Sequence, residues 1–113
     1  MSRLAHLVAA LALWAGSASA QSVNDYPTNA RADYVFVCMA TNGQTREMLD
    51  KCSCAIDHIA EILPYEHYVQ AETVLRMRQV AGERTAMFRQ GAVVNEMVAE
   101  YRRAQAEAEI LCF

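Results

Sequence analysis

Thr45-Arg46-Glu47-Met48-Leu49-Asp50-Lys51-Cys52-Ser53-Cys54-Ala55-Ile56-Asp57-His58-Ile59-Ala60-Glu61-Ile62-Leu63-Pro64 is the stretch that decides the fold. Met48, Cys52, Ala55, Ile56, Ile59 and Leu63 recur at the spacing that lines one face of an α-helix with apolar side chains. Pro64 cannot extend that helix, so it ends or turns it. Cys52 lies on the apolar stripe. Cys54, two residues on and about 200° around the helix axis, falls on the far side in line with Asp50, His58 and Glu61.

The segments on either side also read as helices. Upstream, Thr41-Asn42-Gly43-Gln44 is a break; Thr41 with Gln44 fits a capping box, and Thr45 offers a second cap. Before it, Tyr34-Val35-Phe36-Val37-Cys38-Met39 is an unbroken apolar run. Periodicity does not separate a strand from a buried helix here. A lone strand would have no partner, so the run is read as a short buried helix. A third helix starts near Tyr65, with Pro64 at or just before its first turn, and stops at Ala81-Gly82. Residues 83–90 form a connector and Gly91 a break. The last helix covers residues 93–111, with Val94, Met97, Val98, Tyr101, Ala104, Ala108, Leu111 and Cys112 as its stripe. Amphipathic helices joined by short breaks pack as an antiparallel bundle. The expected fold is therefore all-α, with three to four helices over residues 32–113.

The N-terminus carries different information. Arg3, an apolar run over residues 4–14 and then Ala18-Ser19-Ala20 have the three-part layout of a secretory signal over residues 1–20. Residues 21–31, polar and without apolar period, read as a flexible leader. Gln21 follows the expected cut, so a lipoprotein anchor is not expected. The apolar run falls short of the ~18 residues of a membrane span. Loss of Arg3 leaves nine basic residues against thirteen acidic ones, a net charge of −4. That balance argues against a nucleic-acid binder and against stable attachment to an anionic membrane. The expected location is the periplasm.

Export governs how Cys38, Cys52, Cys54 and Cys112 are read. A chain this short buries a modest core, and in an oxidising space cysteines serve as crosslinks worth ~2–4 kcal/mol each. Pairing Cys52 with Cys54 would break the helix. Two connectivities remain: Cys38–Cys52 with Cys54–Cys112, or Cys38–Cys54 with Cys52–Cys112. Loop-closure entropy hardly separates them. The stripe position of Cys112 favours the core-facing Cys52.

Other chemistry competes for the same residues. Cys-Ser-Cys has the composition of a redox dithiol, but there is no thioredoxin-like βαβ pattern and no Cys-x-x-Cys. Cys54, His58 and Glu61 share a face, with Asp57 beside them and His67 beyond Pro64, and these are metal-ligand types. A sulfur in a disulfide is lost to a metal, so the scaffold reading implies no metal. Asp57, His58 and Glu61 have no serine nucleophile or oxyanion device beside them, which points away from an enzyme and implies no cofactor. Arg76, Arg78, Arg84 and Arg89, interleaved with Met77, Met87 and Phe88, have the composition of a protein-contact patch. They are the expected partner-binding residues.

Val35-Phe36-Val37-Cys38-Met39-Ala40, Asn42-Gly43-Gln44, Cys52-Ser53-Cys54-Ala55-Ile56-Asp57, Ala71-Glu72-Thr73-Val74 and Arg102-Arg103-Ala104-Gln105-Ala106-Glu107-Ala108-Glu109 together resemble a family of short exported four-cysteine proteins of alpha- and related proteobacteria. The resemblance carries over no catalytic residue. It implies an accessory role in the periplasm, near quinoprotein alcohol dehydrogenase systems. The first functional expectation is thus a non-enzymatic periplasmic accessory protein that binds another protein and assists an oxidoreductase. A thiol–disulfide or metal-handling protein using Cys54, His58 and Glu61 is the second. A small periplasmic stress chaperone is the third.

Overall fold

The computed structural model describes residues 24–80 and 91–113. Among them are four helices: α1 (Thr28–Asn42), α2 (Arg46–Ile62), α3 (Tyr65–Gln79) and α4 (Ala92–Cys112). The breaks between them have local causes. Gly43 ends α1 at φ 121°, a backbone conformation that favours glycine, and its N–H donates to the Met39 carbonyl at 2.8 Å. The Thr45 hydroxyl caps α2 by accepting from the Met48 N–H at 3.1 Å. Thr41 is not the cap: it still belongs to α1, where its hydroxyl donates to the Val37 carbonyl at 3.0 Å. Pro64 sits immediately before α3.

Side-chain pairings fix the directions of the helices. Cys38 meets Cys52 while Arg31 lies 3.7 Å from Asp57, so α1 runs antiparallel to α2. Lys51, Cys54 and His58 of α2 meet Phe113, Cys112 and Glu107 in turn, so α4 also runs antiparallel to α2. His67 faces Glu100 and Arg78 reaches Asn95, so α3 runs antiparallel to α4. The contact order is therefore α1, α2, α4, α3. Ile56 and Ile59 of α2, Leu63 just after it, Tyr68 and Ala71 of α3, and Tyr101, Ala104 and Ala108 of α4 lie in the core. Full burial of each large side chain stabilises the fold by roughly 1.5–3 kcal/mol.

Both interhelical disulfides are present, but the stripe argument chose the wrong pairing. The bonds are Cys38–Cys52 and Cys54–Cys112, with Cα separations of 5.9 and 5.8 Å. The reason is that α2 is a middle helix. Cysteines two residues apart point to nearly opposite sides, so one meets α1 and the other meets α4. Cys112 lies past the end of the buried stripe of α4; beside it Leu111 is 62% exposed, against expectation.

Two further expectations are corrected. The run around Phe36 is helical but not buried: no residue of α1 is fully enclosed, and Phe36 is 72% exposed. Helix α1 leans on α2 along one side, which turns Tyr34 and Val35 inward and leaves Phe36 and Val37 outside. Second, the described part of the expected leader, residues 24–31, belongs to the folded domain, and α1 begins at Thr28 instead of near Ala32. Tyr26 is 2% exposed, donates its hydroxyl to the Leu63 carbonyl at 2.8 Å, and packs 5.1 Å from the rings of both Tyr65 and Tyr68. Pro64 has no side-chain acceptor to cap α3, and Asp25 supplies one from 40 residues away, accepting from the Tyr65 N–H at 3.2 Å. The expected signal, residues 1–20, lies outside the described residues.

Tyr26 thus clamps the junction between α2 and α3. Tyr26→Phe should destabilise the oxidised protein by about 1 kcal/mol, and Tyr26→Ala by about 3–5 kcal/mol, in urea unfolding followed by circular dichroism. Unchanged midpoints for both would remove this segment from the domain.

Candidate functional site

Because α1 rests on α2 and α3 rests on α4, α1 and α3 face each other across a gap floored by α4. The gap is a half-open groove of about 570 Å³. Tyr34 and Val37 of α1 form one wall, Tyr68, Glu72 and Leu75 of α3 the other, Tyr101 and Gln105 the floor, and Phe113 lies at one end.

Polar contacts line the groove, one set within α4 and another joining α3 to α1. Arg102 donates to the Gln105 side-chain carbonyl at 2.9 Å, and the Gln105 amide donates to the Tyr101 hydroxyl at 2.9 Å. The Glu72 carboxylate lies near enough for its charge to act on the Tyr101 phenol. Arg76 makes ion-pair contacts of 3.9 Å to Glu72 and 3.7 Å to Asp33. Burial holds the phenols of Tyr68 and Tyr101 well above the ordinary tyrosine range, with the negative charge of Glu72 acting in the same direction. Burial and then Glu109 raise Tyr34. Near neutrality these groups therefore remain protonated hydrogen-bonding hydroxyls.

The residues singled out from sequence are placed differently. Arg76 and Arg78 lie in the last turn of α3, where positive charge complements the helix dipole. Arg76 contacts Asp33 and Glu72, and Arg78 donates to the Asn95 side chain at 2.7 Å. Both serve contacts within the fold, and Arg84 and Arg89 lie outside the described residues. The Cys54–His58–Glu61 face is a seam between α2 and α4. Cys54 is bonded to Cys112, and the two ring nitrogens of His58 lie 3.4 Å from Glu61 and 3.4 Å from Glu107. Bonded to Cys112, Cys54 offers no thiolate to a metal there. Among the described residues, no group of three or more histidine, cysteine or acidic side chains is placed to hold a metal. The groove itself was not anticipated. Its one signal in the sequence is Glu72, an acid set at helical spacing between Tyr68 and Leu75 on an otherwise apolar face.

No family model, curated protein or solved structure matches this chain. The two disulfides suit an oxidising, exported environment. Among the described residues, no helix is long and apolar enough to cross a membrane.

The raised phenols set a pH limit. The unfolded chain releases tyrosine protons near pH 10, while the folded chain retains them. Their contribution to stability is therefore complete below about pH 10 and declines as pH rises beyond it. In an alkaline titration, phenolate absorbance from these tyrosines should emerge above that pH together with loss of helical circular dichroism. Phenolate formation at the ordinary tyrosine pH with the helices intact would contradict the packing of the groove.

Proposed function

We propose that this chain is a non-enzymatic accessory protein of the periplasm, exported through a signal at residues 1–20, which binds another protein and assists an oxidoreductase there. The groove carries this reading. Its lining sets hydroxyl, amide and carboxylate groups beside tyrosine rings, a composition suited to recognition. The described chain has no free cysteine, as expected where the sulfurs serve as structural crosslinks.

The reading is tested by crosslinking in intact cells, recovery from the exported fraction, mass spectrometry, and reconstitution with the purified partner. A single partner that binds stoichiometrically in reconstitution is the expected outcome. Recovery of the chain alone, or of a mixed disulfide with many different proteins, would contradict it; the latter would favour thiol exchange.

A further inference from the structure

We propose that the groove between α1, α3 and α4 is the docking site for a basic amphipathic segment of a partner protein, its apolar face laid on Tyr34, Val37 and Phe113 and its lysine or arginine charges on the groove's carboxylates. This deepens the accessory-protein reading and rests on it.

Charge complementarity chooses the occupant. Asp33, Glu72 and Glu109 line the groove against one guanidinium, Arg102, which is engaged on Gln105 at 2.9 Å. Arg76 approaches from outside the lining and is 72% exposed; its contacts of 3.7 and 3.9 Å are longer than a charge-assisted hydrogen bond of about 2.7–2.9 Å. Asp33 and Glu72 therefore keep acceptor capacity for an incoming cation. The whole chain adds a net charge of −3, which favours encounter with a basic segment. Apolar complementarity sets the rest. Val37 and Phe113 line the same groove yet are 56% and 50% exposed, so water-facing apolar surface continues from the tyrosine floor to the rim. An amphipathic helix laid in an apolar groove is a recurrent recognition mode with this chemistry.

The probes are two fluorescein-labelled peptides with leucine at helical spacing, one with lysine and the other with glutamate at every remaining position. Each is titrated with the oxidised full-length protein at low salt, and anisotropy is read. The lysine peptide should bind saturably and the glutamate peptide should not. Asp33→Asn with Glu109→Gln should weaken the lysine peptide about tenfold, the scale expected for two partly exposed ion pairs. Asp50→Asn with Glu66→Gln removes the same charge away from the groove and should leave binding within twofold. Thermal melts establish that each variant is folded, and Glu109→Gln alone should weaken the lysine peptide by a smaller factor in the same direction. Equal binding of both peptides, no binding of the lysine peptide, or equal losses in the two double variants would overturn the proposal. If cell crosslinking still recovers the partner with the groove variant at undiminished yield, the groove assignment fails while the accessory reading stands.

Discussion

One helix with two sulfurs on opposite sides organises this protein. Helix α2 lies between α1 and α4, and Cys52 and Cys54 commit one face to each neighbour. In the chain-entropy account, closing loops with sequence separations of 14 and 58 residues removes about 3 and about 4 kcal/mol of unfolded-state freedom. Stabilisation of that size is comparable to the whole net stability of a small domain. The second bond also fixes a helix end that would otherwise fray. Cys112 is penultimate, and Phe113 lies beside the Lys51 ammonium at 5.9 Å. Helix α3 has no disulfide. It is held instead by the tyrosine cluster around Tyr26, by the Asp25 cap and by its packing on α4.

That division of labour produces the groove. The disulfides fix α1 and the end of α4 against α2, while tyrosine packing fixes α3 against α4. The space between α1 and α3 is left open over a floor of hydrogen-bonded side chains. A surface whose elements are already held in place loses less conformational freedom when something binds to it. The crosslinks that stabilise the fold therefore also set the walls of the groove.

The legible part of the fold was the part written in period. The stripe through Met48, Cys52, Ile56, Ile59 and Leu63, and the stop at Pro64, gave α2 nearly to the residue. Val98, Tyr101, Ala104 and Ala108 likewise gave the inward face of α4. What failed depended on which helix lies beside which. A stripe says that a face is covered but does not name the helix covering it, so Cys112 could not be assigned to Cys54. Phe36 and Val37 looked buried because an apolar run carries no label for solvent. Tyr26 and Asp25 looked like leader because their partners, Leu63 and Tyr65, lie far along the chain. The groove was hidden for a similar reason: Tyr34, Glu72 and Gln105 come from three helices, and only the tertiary arrangement brings them together. Arg76 and Arg78 were legible as the basic last turn of α3, where they contact Asp33, Glu72 and Asn95.

The central claim is the pattern of crosslinks, and trypsin followed by electron-transfer fragmentation tests it directly. Cleavage after Arg31, Arg46, Lys51, Arg76 and Arg103 joins peptides 32–46, 52–76 and 104–113 through their sulfurs in one cluster. Backbone fragmentation at Ser53 then separates Cys52 from Cys54. Attachment of peptide 32–46 to the Cys52 fragment and of peptide 104–113 to the Cys54 fragment is the predicted result. The reverse attachment, or unlinked peptides from protein isolated without reductant, would contradict the account.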